Sequence, residues 1–352
     1  MGFSDRILGK KTVNGGPHIE SVSPVLALTG GEVRIAGSGL RPPQWERPQV
    51  QFGDVQGTLV VSSDSFLIAR VPEGATSGPV VVATDGHVSN PHPVKVAVPI
   101  AENLHPVTSP GLDAQGNIYV TFSGSRGQKV PVAIFKIDTN YAAKPFVGEM
   151  MNATAIAFDR QGQMYVSSRH DGAVYRVAPN GTMTTYAEGM GIATGIAFDR
   201  NQNLYVGDRS GTIFKIGRDQ QVFVFATLEP SVSAYHLAFG PQGDLFVTGP
   251  TTSSFDCVHR IDPQGTVHKF YRGLGRPQGL AFDADGDLYV AASLSGRRGI
   301  VKISPDGKAS LEVAGHGLVG LAFAPGRSVI LATTDAVHHL SWNIQGLSLL
   351  PE

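Results

Sequence analysis

The sequence predicts an all-β chain: an N-terminal β-sandwich followed by a six-bladed β-propeller with four strands per blade. Three observations carry this. Glycine (43) and proline (23) are abundant and only 16% of residues are charged, a composition that suits short strands joined by tight turns. A phrase close to "GIAFDRNQNLYV" recurs from about residue 105 onward. Residues 17–98 carry alternating strand-like runs that do not share this period.

The repeat comes first because it fixes the larger part. The aromatic of its "YV" pair falls at Tyr119, Tyr165, Tyr205, Phe246 and Tyr289, with Ile330 last, at spacings of 46, 40, 41, 43 and 41. Six copies of about 40 residues match four strands per blade. "GIAFD" reads as the inner strand, "NLYVGD" as the second, "GTIFKIG" as the third and "QVFVFAT" as the fourth. One blade has two apolar faces, so stacking neighbours must cover them, and the repeated residues read as packing. The last copy ends in its own candidate fourth strand, "GLSLLP", so the ring is expected to close without a strand from the other end of the chain. The organisation is then an arm over 1–16, a sandwich over 17–98, a short linker over 99–104 and the propeller over 105–352.

Within the sandwich, "SVSP", the Gly-Gly before a strand, "GSGL", "VQFG", "VPEG" and "SGPVVV…SN" stand in the order of the TIG/IPT family, and residues 17–98 resemble that immunoglobulin-like domain. The resemblance implies a spacer or interaction module. The recurring "P-x-G-[IL]-A-F-D…G-x-[LM]-Y-V" of residues 104–350 resembles the NHL-repeat and gluconolactonase (senescence-marker) group of six-bladed propellers. This second resemblance implies a ligand site at the channel mouth and, in the gluconolactonases, a divalent metal held by acid and amide side chains.

Composition narrows the function. A net charge of −1 gives no whole-molecule attraction to nucleic acid or an anionic membrane. The single cysteine, Cys257, excludes an internal disulfide framework. No apolar run reaches the roughly 18 residues of a membrane span. The first residues, "MGFSDRILGKKTVNGG", lack a secretory apolar core and the myristoylation pattern. The expectation is a cytoplasmic monomer as written, or a secreted or periplasmic one if a leader has been removed.

Loops entering each inner strand and loops joining second to third strands share one face of such a ring. One residue before the "GLAF" glycine the copies read Thr108, Thr154, Thr194, Tyr235, Gln278 and Val319. This row has none of the resembled family's acids and a single amide, Gln278, whereas calcium takes six to eight oxygens, several of them charged. Three residues earlier stand His105 and His316, in the first and last copies, which ring closure makes neighbours. Two imidazoles at one depth could hold a transition metal, with Asp208 or His236 as a further ligand, or supply a general base. The alternative is that both are turn residues. Arg126, Arg169, Arg209, Arg276, Arg297 and Arg298 fall in the same loops, and their guanidinium forks suit carboxylate or phosphate oxygens. The long second loop of the fourth copy adds Phe255 beside Tyr235. A nucleophile built from Cys257 with His236 or His259 is the weakest of these readings.

Two functions follow from these residues. One is a gluconolactonase-like hydrolase or related lyase acting on a small ester, lactone or anionic substrate. Its catalytic groups would be His105, His316 and His236, and its substrate contacts Arg169, Arg209, Arg276, Arg297, Tyr235, Thr154, Thr194, Gln278 and Phe255. A divalent metal, transition rather than calcium, would sit on His105, His316 and Asp208, with no organic cofactor. The other is a non-catalytic module that binds a protein or carbohydrate partner.

Overall fold

The computed structural model describes residues 16–41, 47–122, 129–252 and 256–348. Arg126 and Phe255 lie outside the described residues. By internal contacts the chain divides into two units. The first holds residues up to Val98 with Arg297–Ile300 and Leu311–His316; the second holds the remainder.

The first unit is a two-sheet sandwich. One sheet runs in the order His18–Ser23, Glu32–Ser38, Phe66–Arg70, Thr58–Ser62. The other contains Gln49–Phe52, Gly78–Thr84, His92–Val96 and Leu26–Ala27, and the last of these pairs in parallel with Val313 and Ala314. Along Glu32–Ser38 every second residue is buried, as a half-covered strand requires. Val33, Ile35, Leu67, Ala69, Val80 and Val82 from the two sheets meet in one core.

Beyond the sandwich each of the first five repeat copies becomes a four-stranded antiparallel blade, and the sixth supplies three strands. The third blade shows the logic: Ala193–Phe198, Leu204–Asp208, Thr212–Ile216 and Val222–Thr227 pair in chain order. The first two strands are buried nearly throughout, and the fourth presents Val222, Phe223 and Val224 to solvent.

Neighbouring blades are joined by a relay of aromatic rings. Tyr165 meets Tyr186 of its own fourth strand at 4.9 Å and Phe198 of the next inner strand at 5.0 Å, both edge to face. Tyr205 repeats this with Phe225 and Phe239, and Phe246 with Phe270 and Phe282. Each such contact contributes about 0.5–1.5 kcal/mol beyond its buried area. The tyrosines add a hydrogen bond to the aspartate that ends the inner strand: Tyr119 to Asp113 at 3.1 Å, Tyr165 to Asp159 at 3.2 Å and Tyr289 to Asp283 at 3.1 Å. Burial, then the adjacent carboxylate, pushes the Tyr119 and Tyr165 hydroxyls well above the usual tyrosine range.

Ring closure differs from the sequence expectation. The sixth blade takes its outermost strand from Val98–Ala101, which pairs with Val337–Ser341, so the first strand of the propeller segment is joined to its last. The segment read as "GLSLLP" is not that strand: Gly346 bridges Asp283, and the Leu347 amide donates to the Phe282 carbonyl at 2.9 Å. Four residues outside the repeat carry no periodic signal, which is why the closing strand was read as linker. A strand from the other end gives the ring's junction the same backbone ladder as the rest of the blade.

Candidate functional site

The inner strands surround a central channel, and their first residues ring its upper end. In the row that follows Thr108, Thr154, Thr194, Tyr235, Gln278 and Val319 the copies read Ser109, Ala155, Gly195, His236, Gly279 and Gly320. Five are small and one is an imidazole. Together with Thr108, Ile156, Ile196, Leu237 and Leu280, the first four enclose a cavity of about 80 Å³.

The small residues are required by close approach. A Cβ on Gly320 would lie 2.4 Å from Ser109 Cα, and one on Gly195 would lie 2.4 Å from the Tyr235 carbonyl oxygen and 3.0 Å from His236 Cα. Only glycine lets these inner strands come so near.

His236 opens the inner strand His236–Phe239, in register with Thr248. It is 4% exposed, and its Nε2 has no hydrogen-bond partner. Burial pushes the imidazole down to about 4, so the ring is neutral at physiological pH. A neutral imidazole presents one donor and one acceptor nitrogen, and an unpartnered buried nitrogen is costly unless a water or ligand group meets it.

In the preceding row, expected to bind substrate, Thr108 borders the cavity, while Thr154, Thr194 and Tyr235 spend their hydroxyls on the frame. Thr154 Oγ1 donates to the Asn152 carbonyl at 3.0 Å; Thr194 Oγ1 donates to the Gly207 carbonyl at 2.7 Å and accepts the Tyr235 amide at 3.1 Å. Tyr235 is 2% exposed, and its hydroxyl donates to the Glu229 carbonyl. Gln278 is half-buried, its amide donating to Ala291 O at 2.8 Å and its carbonyl accepting Thr248 Oγ1. These contacts hold the strand that presents His236.

The proposed metal ligands do not assemble. His105 is exposed, with Nδ1 3.3 Å from the Thr334 carbonyl and 3.8 Å from Asp335 Oδ1. His316 is an exposed residue of the first unit. Asp208 is buried, and its carboxylate accepts the Ile192 amide at 2.9 Å, the Ser210 amide at 3.2 Å and the Ser210 hydroxyl. Among the described residues no group of three or more His, Cys, Asp or Glu side chains could hold a metal ion. The donors present do not fit the divalent metal of the resembled group.

The arginines separate too. Arg297 belongs to the first unit, where its Nη2 donates to the Ser23 and Glu32 carbonyls at 2.7 and 3.2 Å, so it is a structural residue there rather than part of the mouth. Arg169 Nη2 reaches Asn152 Oδ1 at 3.4 Å, and Arg209 Nε donates to the Ser231 carbonyl at 3.2 Å; both guanidiniums steady loops of the upper face. Arg276, at φ +49°, is exposed. Cys257 is a free thiol on the strand Asp256–Ile261.

Residues 17–99 match the IPT/TIG domain. No curated protein matches the sequence at a significant level. Among solved structures, a putative gluconolactonase superposes with TM-score 0.58 at 17% identity, covering 72% of this chain and 93% of that one. An auxiliary nutrient binding protein from Bacteroides thetaiotaomicron gives 0.56 at 12% identity, covering 93% and 98%. A catalytically inactive variant of virginiamycin B lyase from Staphylococcus aureus, bound to quinupristin, gives 0.51 at 14% identity, covering 81% and 94%. The chain is therefore an IPT/TIG domain followed by a six-bladed propeller of gluconolactonase-like fold. At these identities the likeness establishes fold and not activity.

His236 is among the histidines that the sequence offers as catalytic groups, beside His105 and His316. The signal was one register step away, in the row of five small residues and one large one. A shift of one residue along a strand exchanges its two faces.

Proposed function

We propose that this protein is a non-catalytic ligand-binding propeller, whose channel mouth receives one carbonyl or carboxylate group of a small ligand on His236. The carrying observation is the buried, unpartnered Nε2 of His236 lining the channel cavity. The cavity, about 80 Å³, admits a single small group, whereas pockets that engulf a whole drug-sized ligand run to about 300–1,000 Å³. The body of the ligand then rests on the upper face, where Arg209 and Arg276 are exposed. The nutrient-binding fold matches nearly the whole of both chains, which agrees with this reading without identifying a ligand.

The second reading is hydrolysis or a related lyase reaction with His236 as base, and its neutral imidazole is the observation that favours it. Against it, a base is most effective with a pKa near the working pH, and His236 is pushed down to about 4.

The test is an NMR titration that follows the His236 ring nitrogens while lactones, sugar acids and simple carboxylates are added. Binding moves the Nε2 resonance in the wild type, and His236→Leu loses the affinity. A ligand that binds equally to both proteins, with no change at Nε2, overturns the assignment.

A further inference from the structure

Away from the channel, the second and third blades enclose a cleft of about 520 Å³ lined by Arg160, Arg176, Arg218, Gln202 and Gln220 over the Tyr165–Tyr186–Phe198 aromatic cluster. Three departures from the repeat converge on it.

First, the turn after the inner strand has a glycine at positive φ in four blades, Gly116, Gly162, Gly243 and Gly286, and Arg327 at φ +57° in the sixth. The third blade has Gln202 there instead, at φ +64°. Second, the turn between third and fourth strands carries Gly181, Gly265 and Gly307 at positive φ, with Tyr141 at φ +63° in the first blade and Gln220 at φ +63° in the third, so among the described residues the third blade has a non-glycine residue in this conformation at both turns. Side chains other than Gly, Asn and Asp rarely adopt this conformation. Two long amides held in it by one blade, both lining one cavity, mark a place where local preference yields to another requirement. Gln202 Oε1 accepts the Arg160 amide at 2.7 Å, tying the two blades' turns together.

Third, the three arginines of this cleft are not held in ion pairs and outnumber its one lining carboxylate, Asp159. In the fourth and fifth blades the third-strand cation has an acid opposite: Arg260 lies 3.5 Å from Asp244, and Lys302 pairs with Asp287. In the second blade the acid's position is Gln163, opposite Arg176. Among the described residues Arg160, Arg176 and Arg218 form no ion pair. The lining carboxylate, Asp159, is engaged by the Gln161 and Gln163 amides at 2.9 Å and by the Tyr165 hydroxyl; nearby Asp219 accepts the Gln221 amide at 3.2 Å. Arg218 Nε donates to the Asn201 carbonyl at 2.7 Å, which leaves its terminal nitrogens for another acceptor.

We propose that this cleft is a binding site for a small polyanion, a molecule carrying two or more carboxylate or phosphate groups. Guanidinium forks grip such oxygens in pairs, and the Gln220 amide adds a neutral donor. The site is separate from the channel and does not depend on the function proposed for it.

The test is calorimetric titration of the full chain with citrate, pyrophosphate and acetate at low ionic strength, since screening weakens exposed charges. One of the two polyanions binds at least about tenfold more tightly than acetate, and an Arg160→Ala/Arg176→Ala variant loses at least about tenfold of that affinity. Tighter citrate assigns a polycarboxylate, and tighter pyrophosphate a phosphate ester. The same titrations in the His236→Leu background, which removes the channel's carboxylate contact, keep the preference for the polyanion over acetate, and Gln220→Gly, which keeps the charges, weakens it more modestly. The proposal is overturned if neither polyanion binds better than acetate, or if the arginine variant, with an unaltered circular dichroism spectrum and melting temperature, keeps the wild-type affinity.

Discussion

The Tyr289 hydroxyl donates to Asp283 Oδ2 at 3.1 Å, while the other oxygen of that carboxylate accepts the Asp285 and Asp287 amides at 3.1 and 2.8 Å. The two residues vary together from copy to copy. Where the fourth copy has Gly240 for the aspartate it has Phe246 for the tyrosine, and the sixth has Ala324 with Ile330. A buried hydroxyl without its acceptor is costly, so the pair is kept or lost as a unit.

Removing the hydroxyl alone is therefore mild and removing the acceptor is not. Tyr289→Phe is expected to cost about 1 kcal/mol, and Asp283→Ala about 3 kcal/mol, because the latter orphans the hydroxyl and two turn amides. Urea denaturation of the two single variants and the double variant measures the coupling between them.

Glycines of this ring fall into two kinds. Gly320→Ala places a methyl 2.4 Å from Ser109 Cα, a backbone atom that cannot step aside, and is expected to cost about 3 kcal/mol. Gly243→Ala meets no atom within 4 Å and suffers only its positive φ of +88°, about 1 kcal/mol. Comparable denaturation midpoints for the two would contradict the close packing of the inner strands.

His236 should make the protein sensitive to acid. Its imidazole takes up a proton at about pH 4 when folded and near 6.5 when unfolded. Between those values the unfolded chain binds the extra proton, so this group's contribution to stability is fully present above pH 6.5. It is lost progressively as pH falls toward 4, by up to about 3 kcal/mol. His236→Leu removes that part of the slope, which denaturation at a series of pH values detects. At pH 7 the substitution itself is expected to change stability by no more than about 1 kcal/mol, since an apolar group replaces a buried nitrogen that lacks a partner.

Gln220→Gly relieves a left-handed backbone at the expense of greater freedom in the unfolded chain, two effects of about 1 kcal/mol each that nearly cancel. Its melting temperature should match the wild type within a few degrees. A large loss of stability would mean that the side chain serves the fold rather than the cleft.

The frame was legible because its signals repeat: the Leu-Ala-Phe runs, the Tyr-Val pairs and the turns each occur several times, so an error in one copy is corrected by the others. The closing strand Val98–Ala101 occurs once and is paired with residues more than two hundred positions away, so no local pattern could announce it. The histidine pair failed for a related reason. His105 and His316 were matched by sequence depth, but His105 turns to Thr334 and Asp335, and His316 belongs to the other unit. Gln202 and Gln220 stand out only once the backbone shows that both turns of the third blade are left-handed without glycine.

If the channel mouth binds its ligand without turning it over, multiple-turnover hydrolysis of a panel of lactones and aryl esters should be absent in both the wild type and His236→Ala. Neither protein then exceeds the buffer rate, while the NMR titration still registers a ligand at His236 in the wild type. Turnover by the wild type that disappears in His236→Ala would contradict it and make His236 a catalytic base.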